Sequence, residues 1–189
     1  EFIMSLYHEA EQIRETIVAH RHYLHQIPEL GLELPKTAAY VEEKLKEMGY
    51  APQRIGSSGV VVTVGSGEGK CFLIRADMDA LPVVEDADID FKSINGNMHA
   101  CGHDTHAAML LYAAYILNEM RDQFSGTVKL IFQPAEEAMN GALSILDSGL
   151  VDDLDTVAGG QKVSCTCVLG GGGNGDSNAR YANWRLTWI

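Results

Sequence analysis

Two segments, residues 71–76 (CFLIRA) and 127–132 (TVKLIF), are short and mostly apolar, and each is followed closely by acidic residues. A strand turns successive side chains to opposite faces, so a strand apolar on both faces must be covered on both. Residues 59–64 (GVVVTV), closed by Gly65-Ser66-Gly67, have the same character. Helical periodicity marks residues 5–26, with Leu6, Ile13, Ile17 and Leu24 in register and Pro28 and Gly31 beyond. It returns at 36–48 between Pro35 and Gly49, at 105–120, where nearly every face is apolar, and at 138–148 before Gly149. Strands alternating with helices predict a three-layer α/β domain, a mostly parallel sheet flanked by helices.

Sheets of this kind bind ligands just beyond the carboxyl ends of their strands. Asp77-Met78-Asp79 directly follows the first of these strands, and Gln133-Pro134-Ala135-Glu136-Glu137 follows the second. His99, Cys101, His103, Asp104 and His106 crowd the start of the apolar helix. Thiolate, imidazole and carboxylate form the usual ligand set of zinc and related divalent metals. Cys101 and His103 are two apart, so an extended backbone would point both at one ion. Adjacent glutamates can divide the labour, one binding metal and the other taking a proton from water.

Each of these residues has a plainer reading by itself. A histidine near a helix start is often a cap, a lone cysteine a small core residue, and Glu136-Glu137 a solvated helix start. Asp77 and Asp79 could be loop or cap residues. Their joint placement at strand ends favours a metal site. His8, His20, His22 and His25 on the first helix are read as structural. The stretch after Ala158 breaks the pattern, with four consecutive glycines and both tryptophans near its end. Gly170, Gly172 and Gly175 there fit G-x-G-x-x-G, a weak dinucleotide signal without the acidic residue expected ~20 positions on. Cys165-x-Cys167 lacks a second pair.

Four motifs in order give the chain a family likeness: HRHYLHQIPELGLE (20–33), LIRADMDALP (73–82), NMHACGHDTHAAMLL (97–111) and IFQPAEE (131–137). They resemble the M20 metal-dependent amidohydrolases and peptidases, in the branch of N-acyl-amino-acid, hippurate and auxin-conjugate hydrolases. The likeness implies a zinc-peptidase α/β catalytic domain, present here in part, with two divalent metals (Zn, Mn, Co or Ni) at the strand ends. It implies that Cys101, in the bridging place, His103 and Glu137 are metal ligands. Glu136 is then the general base, and Asp79 the acid that orients the site. The implied reaction is attack of metal-activated water on the amide of a small N-acyl amino acid or peptide-like substrate, with dimerisation through an inserted domain.

Family members are longer and carry further histidine ligands, whereas no histidine follows His106 here. The likeness therefore covers an N-terminal catalytic part, residues 4–157. Residues 158–189 read as an atypical, frameshifted or misassigned glycine-rich tail, and residues 1–3 as a cloning remnant before Met4. The competing expectation is a catalytically inactive metal-binding or interaction fragment. A net charge of −12 opposes phosphate-based nucleic-acid binding. The longest apolar run, 107–117, falls short of the ~20 residues that span a membrane. With no basic and apolar leader, cytoplasmic location is the default expectation.

Overall fold

The computed structural model describes residue 11 and residues 13–159, together with 166–167 and 184–186. Helices α1 (Arg14–His25) and α2 (Pro35–Glu47) precede strands β1 (Gln53–Ile55), β2 (Gly59–Gly65) and β3 (Cys71–Asp77). Helix α3 (His103–Glu119), strand β4 (Thr127–Gln133), helix α4 (Gly141–Leu146) and strand β5 (Thr156–Gly159) follow. Strands β6 (Thr166–Cys167) and β7 (Trp184–Leu186) form a separate antiparallel pair. Gly170, Gly172, Gly175, Cys165 and His8 lie outside the described residues.

The main sheet has the order β1-β2-β4-β3-β5. β3 runs parallel to both β4 and β5, whereas β2 pairs antiparallel with β4 and β1 antiparallel with β2. The sheet is thus mixed, and its parallel half is where the two acid-tipped strands lie. Chain length explains the antiparallel half. Only residues 66–70 join β2 to β3, and a return to the opposite end of the sheet needs a crossover of a dozen residues or more. β2 must therefore oppose β3, and the α3 crossover delivers β4 between them.

The apolar strands are covered as their composition requires. In β2, Val60 and Val62 face the layer of α1, α2 and α3, while Val61 faces the other side. In β4, Leu130 and Phe132 join the first core, and Ile131 joins Ile145 of α4 in the second. Each buried side chain of this size contributes roughly 1.5–3 kcal/mol, so the sheet is fixed from both faces. Among the described residues, no helix is long and apolar enough to cross a membrane.

Three boundaries depart from the periodicity. The helix expected over 5–26 is α1 from Arg14, with Ile13 as its N-cap outside helical backbone. Helix α3 begins at His103 rather than 105, because Gly102 at its N-cap adopts φ 85 and turns the chain into the helix. Helix α4 begins only at Gly141 rather than 138. The preceding residues are held in a turn in which Ala135 (φ 55) and Met139 (φ 57) both have left-handed backbone. Gly141 packs directly on Pro134, and a Cβ there would be driven into the Pro134 carbonyl oxygen.

A buried polar network pins α1 to the start of α3. His25 donates from Nδ1 to Asp104 Oδ2 at 2.6 Å and from Nε2 to Glu85 Oε1 at 2.8 Å. Arg21 Nε lies 2.9 Å from the same Asp104 oxygen, and the Ser93 amide donates to Glu85 Oε2 at 2.6 Å. Burial pushes the Glu85 carboxyl up. The hydrogen bonds from His25 and Ser93 and the His25 charge outweigh it and hold the carboxyl below its ordinary 4.5. His20 instead bonds the Tyr40 hydroxyl at 2.7 Å, and His22 stacks on Phe91 with ring centres 3.7 Å apart.

Two outcomes follow from this packing. Gly141→Ala gains ~1 kcal/mol of helix propensity but meets backbone. Such overpacking costs typically ~1–3 kcal/mol, so the urea midpoint should fall; an unchanged or higher midpoint would show that α4 is not seated on Pro134. Because the folded Glu85 value is depressed, its stabilisation is complete above about pH 4.5 and is lost as pH falls through the folded value. Glu85→Gln should therefore flatten the acid limb of stability against pH. At neutral pH it should cost on the order of 3 kcal/mol, as when one member of a buried pair is removed. Urea unfolding at several pH values measures both.

Candidate metal centre

β3 and β4 end side by side, with Asp77 opposite Gln133, and the Met78 amide donates to the Gln133 carbonyl at 2.9 Å. That contact holds Met78 inward and sets Asp79 beneath the loop leaving β4. Asp79 is buried, and each of its carboxylate oxygens takes one backbone amide: Glu136 N at 2.9 Å and Glu137 N at 3.0 Å. The left-handed turn at Ala135 precedes these two amides, much as in the backbone concavities that hold anions elsewhere. Asp79 also accepts, at its main-chain carbonyl, the Nδ1–H of His103 at 2.8 Å.

Cys101 and His103 meet by a different route from the extended segment their spacing suggested. The Gly102 amide donates to the His99 carbonyl at 3.1 Å, and Gly102 is left-handed, so residues 99–102 form a turn. The turn brings the Cys101 sulfur, a His103 ring nitrogen and a Glu137 oxygen within 4.8 Å of one another. Cys101 is exposed, His103 buried and Glu137 half-buried, so the group is accessible from the surface rather than enclosed in the core. His103 Nε2 lies 3.8 Å from Glu136 Oε2 and from Glu137 Oε1. All five residues singled out for chemistry, Asp79, Cys101, His103, Glu136 and Glu137, are therefore brought together.

The local field is strongly negative. A hydrogen bond to Glu137, partial burial and the nearby carboxylates push the Cys101 thiol up to about 11. Burial pushes His103 down, but its contact with Asp79 and the charges of Asp77 and Asp79 outweigh that and raise it above its ordinary value. His99 is buried with no hydrogen-bond partner on either ring nitrogen, and burial holds it down to about 4.

A second group of potential ligand atoms, from Asp77, His103 and His106, also falls within 4.8 Å. Asp77 is already engaged there. Arg75 Nη1 donates to its Oδ2 and His106 Nδ1 to its Oδ1, each at 2.6 Å. Burial pushes the Asp77 carboxyl up, and the His106 bond and Arg75 charge outweigh it, leaving it below its ordinary value. Sequence reasoning placed Asp77 and His106 in the polar cluster but gave them no role. Helix spacing could have linked His106 to His103, since i and i+3 share a face; their rings stack with centres 5.7 Å apart. Strand spacing could likewise have linked Arg75 to Asp77, since i and i+2 share a face; nothing local in the sequence links Glu85 to this region.

Comparison with known proteins agrees with this arrangement. Residues 73–179 match the model of peptidase family M20/M25/M40. The chain is 41% identical over 165 residues to thermostable carboxypeptidase 1 of Saccharolobus solfataricus, covering 84% of this chain and 42% of that protein. It is 39% identical to the N-acyl-L-amino acid amidohydrolase of Geobacillus stearothermophilus, covering 79% and 41%. Among solved structures, a Bacillus subtilis protein described as a dinuclear metal binding peptidase of the M20 family superposes with a TM-score of 0.75 at 35% identity. It covers 79% of this chain and 43% of that one. The chain spans less than half the length of these relatives. Sequence, fold and the convergence of the strand-end residues agree: the chain belongs to peptidase family M20/M25/M40.

Proposed function

We propose that Cys101, His103 and Glu137 hold a divalent metal ion in an enzyme that hydrolyses the amide bond of N-acyl amino acids or related small amides. The observation that carries this reading is the approach of one sulfur, one nitrogen and one oxygen ligand within 4.8 Å of one another. That mixed set suits Zn, and also Mn, Co or Ni. Four carboxylates, Asp77, Asp79, Glu136 and Glu137, surround it, and Arg75 is committed to Asp77. A divalent cation bound there would reverse the upward push on the Cys101 thiol. Relatives named as an N-acyl-L-amino acid amidohydrolase and an N-acetyl-L-cysteine deacetylase supply the substrate class.

A divalent ion at this position supplies Lewis acidity toward water and toward the amide carbonyl. The chain's own residues supply the rest. Glu136 stands beside Glu137 on the turn fixed by Asp79, close to the His103 ring but outside the three-ligand group. It is the base that takes the proton of the attacking water and returns it to the leaving amine nitrogen. Asp79 acts from beneath by orienting both glutamates and the His103 ring. Dimerisation, which the family likeness implies, belongs to this reading as well.

A second reading rests on the ligand count. Among the described residues, the group that includes Cys101 supplies three donors, enough for one ion with an open position. A paired ion, as in the dinuclear relative, needs more. On this reading the 189-residue chain binds one ion weakly and turns over little.

Metal analysis and hydrolysis of N-acetyl amino acids separate the two readings. The 189-residue chain is expected to hold at most one ion, lost in Cys101→Ser, with negligible turnover. Two tightly held ions, or turnover of ~1–10³ per second, would rule out the second reading. No uptake of Zn, Mn, Co or Ni by the folded chain would rule out the first. In a longer protein that carries this segment together with both ions, Glu136→Gln should lower kcat by ~10²–10⁴-fold with metal retained. Loss of metal in that variant would make Glu136 a ligand and exchange its role with that of Glu137.

A further inference from the structure

Three titratable side chains of the α1–α3 network do no work in the proposed chemistry. Asp104 and Glu85 are buried, and His25 is 2% exposed between them. A buried charge network is a poor source of net stability, because apolar residues of similar volume serve as well or better. The position of Asp104 suggests another role.

Asp104 directly follows His103 in the first turn of α3 and lies three residues after Cys101. Its Oδ1 accepts the Thr105 amide of that same turn at 2.9 Å, while its Oδ2 is held by His25 and Arg21 from α1. On the other side of the turn, His103 Nδ1 is fixed to the Asp79 carbonyl. Consecutive helical residues project about 100° apart, so holding both side chains leaves the first turn no freedom to rotate. His103 Nε2 is thereby held 3.8 Å from Glu136 and Glu137 and 3.7 Å from Asp77, and the 99–102 turn carrying Cys101 is fixed with it.

We propose that His25 is a positioning residue for metal capture: through Asp104 it sets the rotation of the first turn of α3 and so the approach of His103 and Cys101 to one ion. This rests on the reading of Cys101, His103 and Glu137 as ligands. His25 needs a hydrogen on each ring nitrogen to donate to both acids, so a ring that bridges them cannot be replaced by a side chain with one donor without loss. Phe91 secures the same joint, lying edge-on to His25 and beneath the Arg21 guanidinium.

The test uses the full 189-residue chain, stripped of metal and titrated with Co²⁺. Thiolate-to-cobalt charge-transfer absorption reports Cys101 ligation, and urea unfolding of the metal-free chain reports stability. His25→Phe should weaken Co²⁺ binding by ~10–100-fold, the usual effect of losing a partner that orients ligands. His25→Asn, whose one amide nitrogen can take the place of only one of the two ring nitrogens, should recover part of that loss. Arg21→Met leaves the buried ring in place and should weaken binding in the same direction by less. Leu24→Val, on the same helix and in the same core, should lower the urea midpoint with Co²⁺ affinity unchanged. Unaltered Co²⁺ binding in His25→Asn and Arg21→Met would overturn the proposal even if His25→Phe failed to fold. So would an equal loss of affinity in Leu24→Val, which would make the effect one of general stability. Absence of the thiolate band in the unsubstituted chain would instead overturn the ligand assignment beneath it.

Discussion

The site depends on the burial of one carboxylate. Asp79 binds the amides of Glu136 and Glu137 through its two side-chain oxygens and the His103 ring through its carbonyl. Three segments far apart in sequence are therefore referred to a single residue at the end of β3. The arrangement requires Ala135 to adopt a left-handed backbone, which costs an L-residue roughly 1–2 kcal/mol. Hydrogen bonds to a charged acceptor contribute about 1.5–3 kcal/mol each, so the two amide bonds outweigh the strain. Without Asp79 the turn would keep its bonds from Met139 to Glu136 and from Gly141 to Ala135, but the Glu136 and Glu137 amides would lose their acceptor.

The sheet makes that interaction possible. The parallel β3–β4 pairing brings the two strand ends level, with Asp77 opposite Gln133. Residues just past each end then meet without any long loop. The α3 crossover starts at the same edge, placing Cys101 and His103 above the strand ends. The two-sided burial of β4, with Phe132 on one face and Ile131 on the other, fixes the register. A slip of one residue would exchange the faces and carry the acidic pair away from Asp79.

Much of this was legible in the chain. Strands apolar on both faces, each closely followed by acids, located the sheet and the edge that matters. What escaped was set by connections and by distance in sequence. The antiparallel placement of β2 follows from the shortness of residues 66–70, a topological constraint that periodicity does not carry. The late start of α4 reflects Ala135, Met139 and the close seat of Gly141 on Pro134, and none of these leaves a periodic trace. The His25 network joins residues 60 and 79 positions apart. Its acid, Glu85, stands in a run of acidic residues that reads as solvated surface.

Two candidate ligand groups share His103, and elementary electrostatics separates them. His103 has committed Nδ1 to Asp79, so only Nε2 remains for an ion. On one side Asp77 is already neutralised by the Arg75 guanidinium at 2.6 Å and bonded to His106. An ion bound there would face a fixed positive charge at close range. Two unit charges ~4 Å apart in a partly buried setting repel by ~4 kcal/mol. On the other side, among the described residues, no guanidinium or ammonium is paired with Cys101 or Glu137. In the proposed reading the ion therefore goes to Cys101, His103 and Glu137. The Arg75–Asp77–His106 assembly then borders the site on its other side, with Asp77 Oδ2 3.7 Å from the remaining nitrogen of His103.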